Sequence, residues 1–426
     1  MRIYFLLLTV SVFVWGCMKD TNRNTTSLPV VTTSSVGNIT LTSGSSGGNV
    51  TDDGGDYVTS RGVCWSVSQG PTISNAYTVD GASIGAFTSQ ISGLNSGTTY
   101  YVRAYATNGL GTSYGNEISF NTTPANVYIG GCTDRPSYGK PAVWINGSLN
   151  LLPVGGNDAM VRDLFIEGND VYAAGSMFTN TNPAAIYWKN ANMTSLTNGA
   201  KEGSANRIAV SGTDVYIAGV DDGPAMEMKG FLWHNNFATL MSTNPNNSTS
   251  FAAAVAISGN DVYVGTTETD WTTFQDDSYL WKNGSVYSAM PTLPWKIVCS
   301  GVNVFVTFYK EQIDPFVWKD GQLITFPAPS RGAITSIFPV SNDLYACGYI
   351  LNGTVKKAVF WKNGIVTELT DGIHNATATD LAVVGQDVYV VYNELISQTL
   401  QHPYVWKNGV KTLLATNGFA TSLVVK

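Results

Sequence analysis

Seven tryptophans recur along residues 126–426 at intervals of 37 to 48 residues: Trp144, Trp188, Trp233, Trp281, Trp318, Trp361 and Trp406. A second aromatic series keeps step with them: Tyr128, Tyr172, Tyr216, Tyr263, Phe305, Tyr345 and Tyr389. Each unit reads alike. One runs from Ala378 to Val390 with alternating apolar residues, crosses a loop, continues as Tyr404-Val405-Trp406-Lys407-Asn408-Gly409, and ends in Val410 to Leu414. That pattern predicts four short strands per unit, paired by two tight turns, Gly-x-Asp and Lys-Asn-Gly. The Asn-Gly step supplies the positive φ angles of a type I′ hairpin.

A period of about 40–50 residues with four strands per unit is the signature of a β-propeller. The ends set the count. Residues 126–152 supply only three strands (127–131, 142–146, 149–152), and the chain finishes on 420–425, an orphan copy of the innermost strand. Three strands from the start and one from the end complete a seventh blade, whereas six or eight blades leave a strand unpaired. Sealing the ring this way removes exposed sheet edges. The unit distantly resembles kelch and WD repeats, with Val127-Tyr128-Ile129-Gly130-Gly131 nearest to kelch. Most units carry one glycine and no Trp-Asp pair closes the third strand, so the resemblance implies architecture and not a kelch or WD function.

The first residues read as an address. Met1-Arg2 precede a 13-residue apolar run, Ile3 to Trp15, too short for the ~20 residues of a membrane span and suited to a signal peptide. The run ends in Val14-Trp15-Gly16-Cys17, which resembles a bacterial lipobox and implies a signal peptide over 1–16 and lipidation of Cys17. Met18 stands where an inner-membrane retention Asp would follow, so the expectation is an outer-membrane lipoprotein, on the periplasmic or the surface side, held by its lipid anchor alone. Residues 17–27 form a polar tether. From 28 to 125 short alternating strands are broken by turns such as Gly54-Gly55 and Asn108-Gly109, the pattern of one β-sandwich. Within it, Gly93-Leu94-Asn95-Ser96-Gly97-Thr98-Thr99-Tyr100 resembles the corner before strand F of fibronectin type III domains. The resemblance implies that Leu94 plugs the core, that Tyr100 bonds back to the corner backbone, and that the module is a spacer. The expected fold is all-β: a fibronectin type III-like sandwich followed by a seven-bladed β-propeller over 126–426.

Charged residues are only 12% of the chain against 43 glycines, which argues against helical bundles, while 44% hydrophobic residues argue against disorder. A net charge of −7 speaks against nucleic acid or an anionic membrane surface as partner. Besides Cys17, Cys64, Cys132, Cys299 and Cys347 have no zinc or redox spacing and read as buried thiols, with a disulfide left open.

With strands a to d counted outwards, the a–b and c–d turns are short, and the long b–c and d–a connections share the opposite face. Binding residues on propellers belong on such loops. Aromatics beside acids and amides there, Tyr138, Trp271, Phe274, Trp295 and Tyr309, suit sugar or peptide recognition, or else plug gaps between blades. Aligning the inner strands gives a further column before the apolar position: Asp163, Arg207, Ala254, Lys296, Ser336, Asp380 and Ser422. Its four charges read as either a ligand site or structural ion pairs, with Asp163 to Arg207 the expected pair. Gly81-Ala82-Ser83-Ile84-Gly85 matches a nucleophile elbow only by chance, since it lies in the sandwich. His234 takes the Lys place of a turn, the recurrent Asp170, Asp214, Asp261, Asp343 and Asp387 are turn residues, and no metal or cofactor is expected. The favoured function is a monomeric, non-catalytic envelope lipoprotein binding a glycan or protein. The alternatives are a lyase or hydrolase using Asp163 or Asp380, and a structural subunit of an envelope complex.

Overall fold

The computed structural model describes residues 26–134, 139–222, 227–308 and 314–426. Cys17, Tyr138 and Tyr309 lie outside them. The chain divides into two compact units between Thr123 and Pro124.

The first unit has two antiparallel sheets. One is ordered Val30–Thr33, Ser43–Asp52, Gly85–Ser92; the other runs Ala76–Tyr77, Ser60–Ser66, Thr99–Asn108, Gly111–Tyr114, with Ile118–Asn121 also pairing to Thr99–Asn108. Period-two alternation sends Val63, Ile91, Leu94, Val102 and Ala104 into a shared core where none is exposed. Tyr100 Oη accepts the Asn95 N–H at 3.0 Å, and its ring stacks on Phe120.

The second unit contains seven four-stranded antiparallel sheets among the described residues, an arrangement that fits a β-propeller. Six are built from consecutive strands, whose first members are Asp158–Glu167, Gly203–Ser211, Ser248–Ser258, Pro294–Ser300, Gly332–Val340 and Asn375–Val384. The remaining sheet joins Val127–Thr133, Lys140–Ile145 and Ser148–Leu151 to the last strand, Gly418–Val425. Asn126 and Lys426 exchange both backbone hydrogen bonds, at 2.7 and 2.9 Å. The core is distributed between sheets. Trp144 and Ile129 pack with Val391 and Tyr389 on one side of the terminal sheet, and Val143 packs with Val161, Leu164 and Trp188 on the other.

The repeated residues are structural. Trp144, Trp188 and Trp361 are fully buried and donate Nε1–H to the carbonyls of Leu414, Pro153 and Pro327, each in the connection leaving the preceding sheet. Asn283 and Gly284 both have positive φ, 51° and 78°, as a type I′ turn requires. The Asn283 side chain accepts the Val262 N–H and donates to Asp261, which also pairs with Lys282 at 2.8 Å. The Lys282 ammonium lies over the Tyr263 ring. Equivalent brackets form around Asp170, Asp343 and Asp387. His234 replaces the lysine by stacking on Tyr216 at 4.3 Å and bonding Asp214 at 3.0 Å. Cys64, Cys132, Cys299 and Cys347 are free thiols; burial pushes Cys64 and Cys299 up to about 11.

Every innermost strand carries one β-bulge, at Arg162, Asn206, Ala253, Trp295, Thr335, Thr379 and Thr421. Glycine faces several bulges because the strands approach closely there: a Cβ on Gly348 would sit 1.9 Å from the Ala333 carbonyl oxygen. Gly348→Ala is therefore expected to destabilise the chain by about 1–3 kcal/mol in denaturant titrations.

Candidate functional site

The bulges aim their side chains at a central cavity of about 720 Å³, lined by residues from all seven sheets. All seven bulge residues line it. A bulge shifts the strand's phase by one, so two successive side chains no longer alternate with the rest of the strand. The column aligned from sequence is therefore divided: Arg207 lines the cavity, whereas Asp163, Lys296 and Asp380 do not.

Four bulge side chains stitch the wall together. Asn206, Thr335, Thr379 and Thr421 each donate to the carbonyl just before the next sheet's bulge: Ala252, Ala378, Ala420 and Val161, at 2.7 to 3.0 Å. Arg162, Ala253 and Trp295 depart from that stitch. Arg162 Nε donates to Ser176 Oγ at 3.1 Å. The Arg207 guanidinium lies 5.2 Å from the Trp295 ring and donates Nη1–H to Asn206 O, while its buried Nε has no hydrogen-bond partner. Phe251, Phe308, Phe419, Tyr349, Asn375, Asn393, Gln401 and Lys356 complete much of the lining. No Asp or Glu is among the described lining residues.

The acids of the aligned column sit in the wall. Asp380 is 3% exposed and accepts from Lys296 Nζ, Ser336 Oγ and the N–H groups of Leu381 and Leu423. The ion pair that forms is thus Lys296 to Asp380, reaching past the intervening sheet's Ser336. Asp163 Oδ2 instead accepts the Ile208 N–H at 3.0 Å. Burial pushes its carboxyl above the usual range, and the Arg207 and Lys296 charges only partly oppose this. Trp271 stands apart from the cavity, 38% exposed and over the Lys229 ammonium. Of the eight candidate ligand-binding residues, only Trp295 and Arg207 line the cavity, and Tyr138 and Tyr309 lie outside the described residues. Arg162, Phe251, Tyr349 and Lys356 escaped the sequence reading; the one available signal was the position before the aligned column, where threonine alternates with outliers. No cluster of three or more His, Cys, Asp or Glu able to hold a metal occurs among the described residues.

No protein-family description matches the chain, and no curated protein matches it. Among solved structures, it is similar to TolB from Acinetobacter baumannii, with 9% identity over 76% of this chain and 79% of that one, at a TM-score of 0.40. A mutant of AofleA from Arthrobotrys oligospora shares 10% identity over 62% of this chain and 89% of that one, at 0.38. A DUF4784 family protein from Bacteroides caccae shares 9% over 93% and 98%, at 0.29.

Two outcomes follow from the wall charges. Lys296→Met strands a buried carboxylate and should lower stability by about 3–5 kcal/mol, while Lys296→Met combined with Asp380→Leu should recover much of it in urea titrations. Asp163 has a folded-state pKa above its unfolded value, so its stabilising contribution is present at low pH and is lost as pH rises. Asp163→Asn should accordingly leave Tm unchanged near pH 4 and raise it progressively toward pH 8, read by calorimetry.

Proposed function

We propose that this chain is a non-catalytic binding lipoprotein of the bacterial outer membrane, which holds a glycan in the central cavity of a seven-bladed propeller. The cavity carries the reading: aromatic rings, amides and cations from all seven sheets converge on about 720 Å³, the size and mixed lining expected of a ligand site. Flat rings such as Trp295 stack on sugar faces, and amides such as Asn375 bond hydroxyls. General acid–base catalysis needs a carboxyl within reach of the reacting bond, and Asp163 and Asp380 are committed to wall hydrogen bonds. That supports binding over hydrolysis or elimination. A protein partner docking on the same face is the outcome that a failed glycan screen would favour.

Around this site the proposed organisation is a signal peptide over 1–16, a lipidated tether from Cys17 to 27, a fibronectin type III-like spacer over 28–125, and the propeller over 126–426. Two observations support these finer assignments: the Tyr100 bond at the sandwich corner, and the terminal sheet packed on both sides by apolar clusters.

A glycan array and an envelope-protein pull-down on the full chain test the reading. Trp295→Ala is expected to weaken a captured glycan at least tenfold, and Trp271→Ala to change it less than threefold. Equal loss in both variants, or retention in Trp295→Ala, moves recognition off the cavity.

A further inference from the structure

The cavity is uneven in charge. One arc of its wall is closed by threonines whose hydroxyls already donate to the neighbouring sheet. The opposite arc carries the departures from that stitch, Arg162 and Trp295, with Arg207 beside them. Lys356 adds a third cation to the lining, and no described lining residue is acidic. The nearest carboxylates do not restore balance. Asp380 is matched by Lys296, and Asp163 is held toward its neutral form by burial. A chain of net charge −7 thus concentrates positive charge in a concave, partly desolvated site, where it acts more strongly than on the surface.

We infer that the ligand is an acidic saccharide whose carboxylate is held by Arg162 and Arg207 and whose ring lies against Trp295. This deepens the glycan reading and rests on it. Guanidinium groups are planar forks matched to carboxylates, and Arg207 retains a buried Nε–H without a hydrogen-bond partner. Phosphate sites typically draw on helix N-termini, and the described residues contain no helix. The aromatic and amide lining suits sugar rings and hydroxyls more than an extended acidic peptide, which would need a row of cations.

The test is calorimetric titration of the full chain with trisaccharides of galacturonic, glucuronic and mannuronic acid, beside their neutral counterparts and a hexaglutamate peptide. At least one uronic trisaccharide should bind tenfold or more tighter than its neutral counterpart, and binding should weaken as NaCl rises from about 50 to 500 mM. Arg162→Gln and Arg207→Gln should each lose tenfold for the acid and little for the neutral sugar. Arg207→Lys, which keeps the charge but not the fork, should fall between. Thermal melts of the unliganded variants separate loss of binding from loss of fold. Neutral sugars binding as tightly as acids, with loss in Trp295→Ala, overturns the acidic ligand and keeps the glycan reading. Absence of binding by every sugar overturns both, and binding of hexaglutamate alone replaces the sugar with an acidic peptide.

Discussion

The second unit depends on one constraint: no sheet has a core of its own. Each four-stranded sheet is apolar on both faces and buries them only against its neighbours, so the hydrophobic effect acts between sheets. The buried tryptophan of each repeat is the main wedge, and its indole N–H ties it to the preceding connection. This accounts for a terminal sheet made from both chain ends. Trp144 reaches back to Leu414, so the first and last strands of the unit are joined by packing as well as by backbone pairing.

The bulge is the second device, and it turns a structural repeat into a site. An inserted residue on each innermost strand leaves one side chain directed at the axis, and a glycine opposite makes room for the bent strand. Where the inserted residue is threonine, it serves the wall by bonding across to the next sheet. The positions that abandon this duty are those at which arginine and tryptophan appear. In a repeat, a departure from the structural residue at an equivalent position is informative because it gives up a hydrogen bond available to its siblings.

Charge in the unit follows two separate logics. The Asp–Lys–Asn brackets on the short-turn face are exposed, repeat in register, and orient hairpins. Near the axis, Lys296 and Asp380 make a buried pair whose worth lies in specifying geometry, since desolvation offsets much of its attraction. The cavity cations belong to neither set, and the proposed recognition of an acidic sugar rests on them.

The architecture was legible from residues 126–426 because its signals are local. Trp spacing, Asn-Gly turns and the orphan strand at 420–425 each depend on neighbours within a few residues, and the four-strand repeat reappears in the sheets. The same holds for Leu94 and Tyr100 in the sandwich. The site was legible only in part. Aligning inner strands on their apolar residues found Asp163, Arg207, Lys296 and Asp380, yet placed the cavity one position away from Arg162 and Thr335, because a bulge breaks the period of two and leaves no compositional trace. Which partner a charge takes was likewise beyond the sequence: Lys296 bypasses its neighbours for a carboxylate 84 positions on. Local turn and strand chemistry was determined by the sequence alone. The channel lining, the ion pairing and the excess of cations were decided by the tertiary structure, because they depend on how strands distant along the chain meet at one axis.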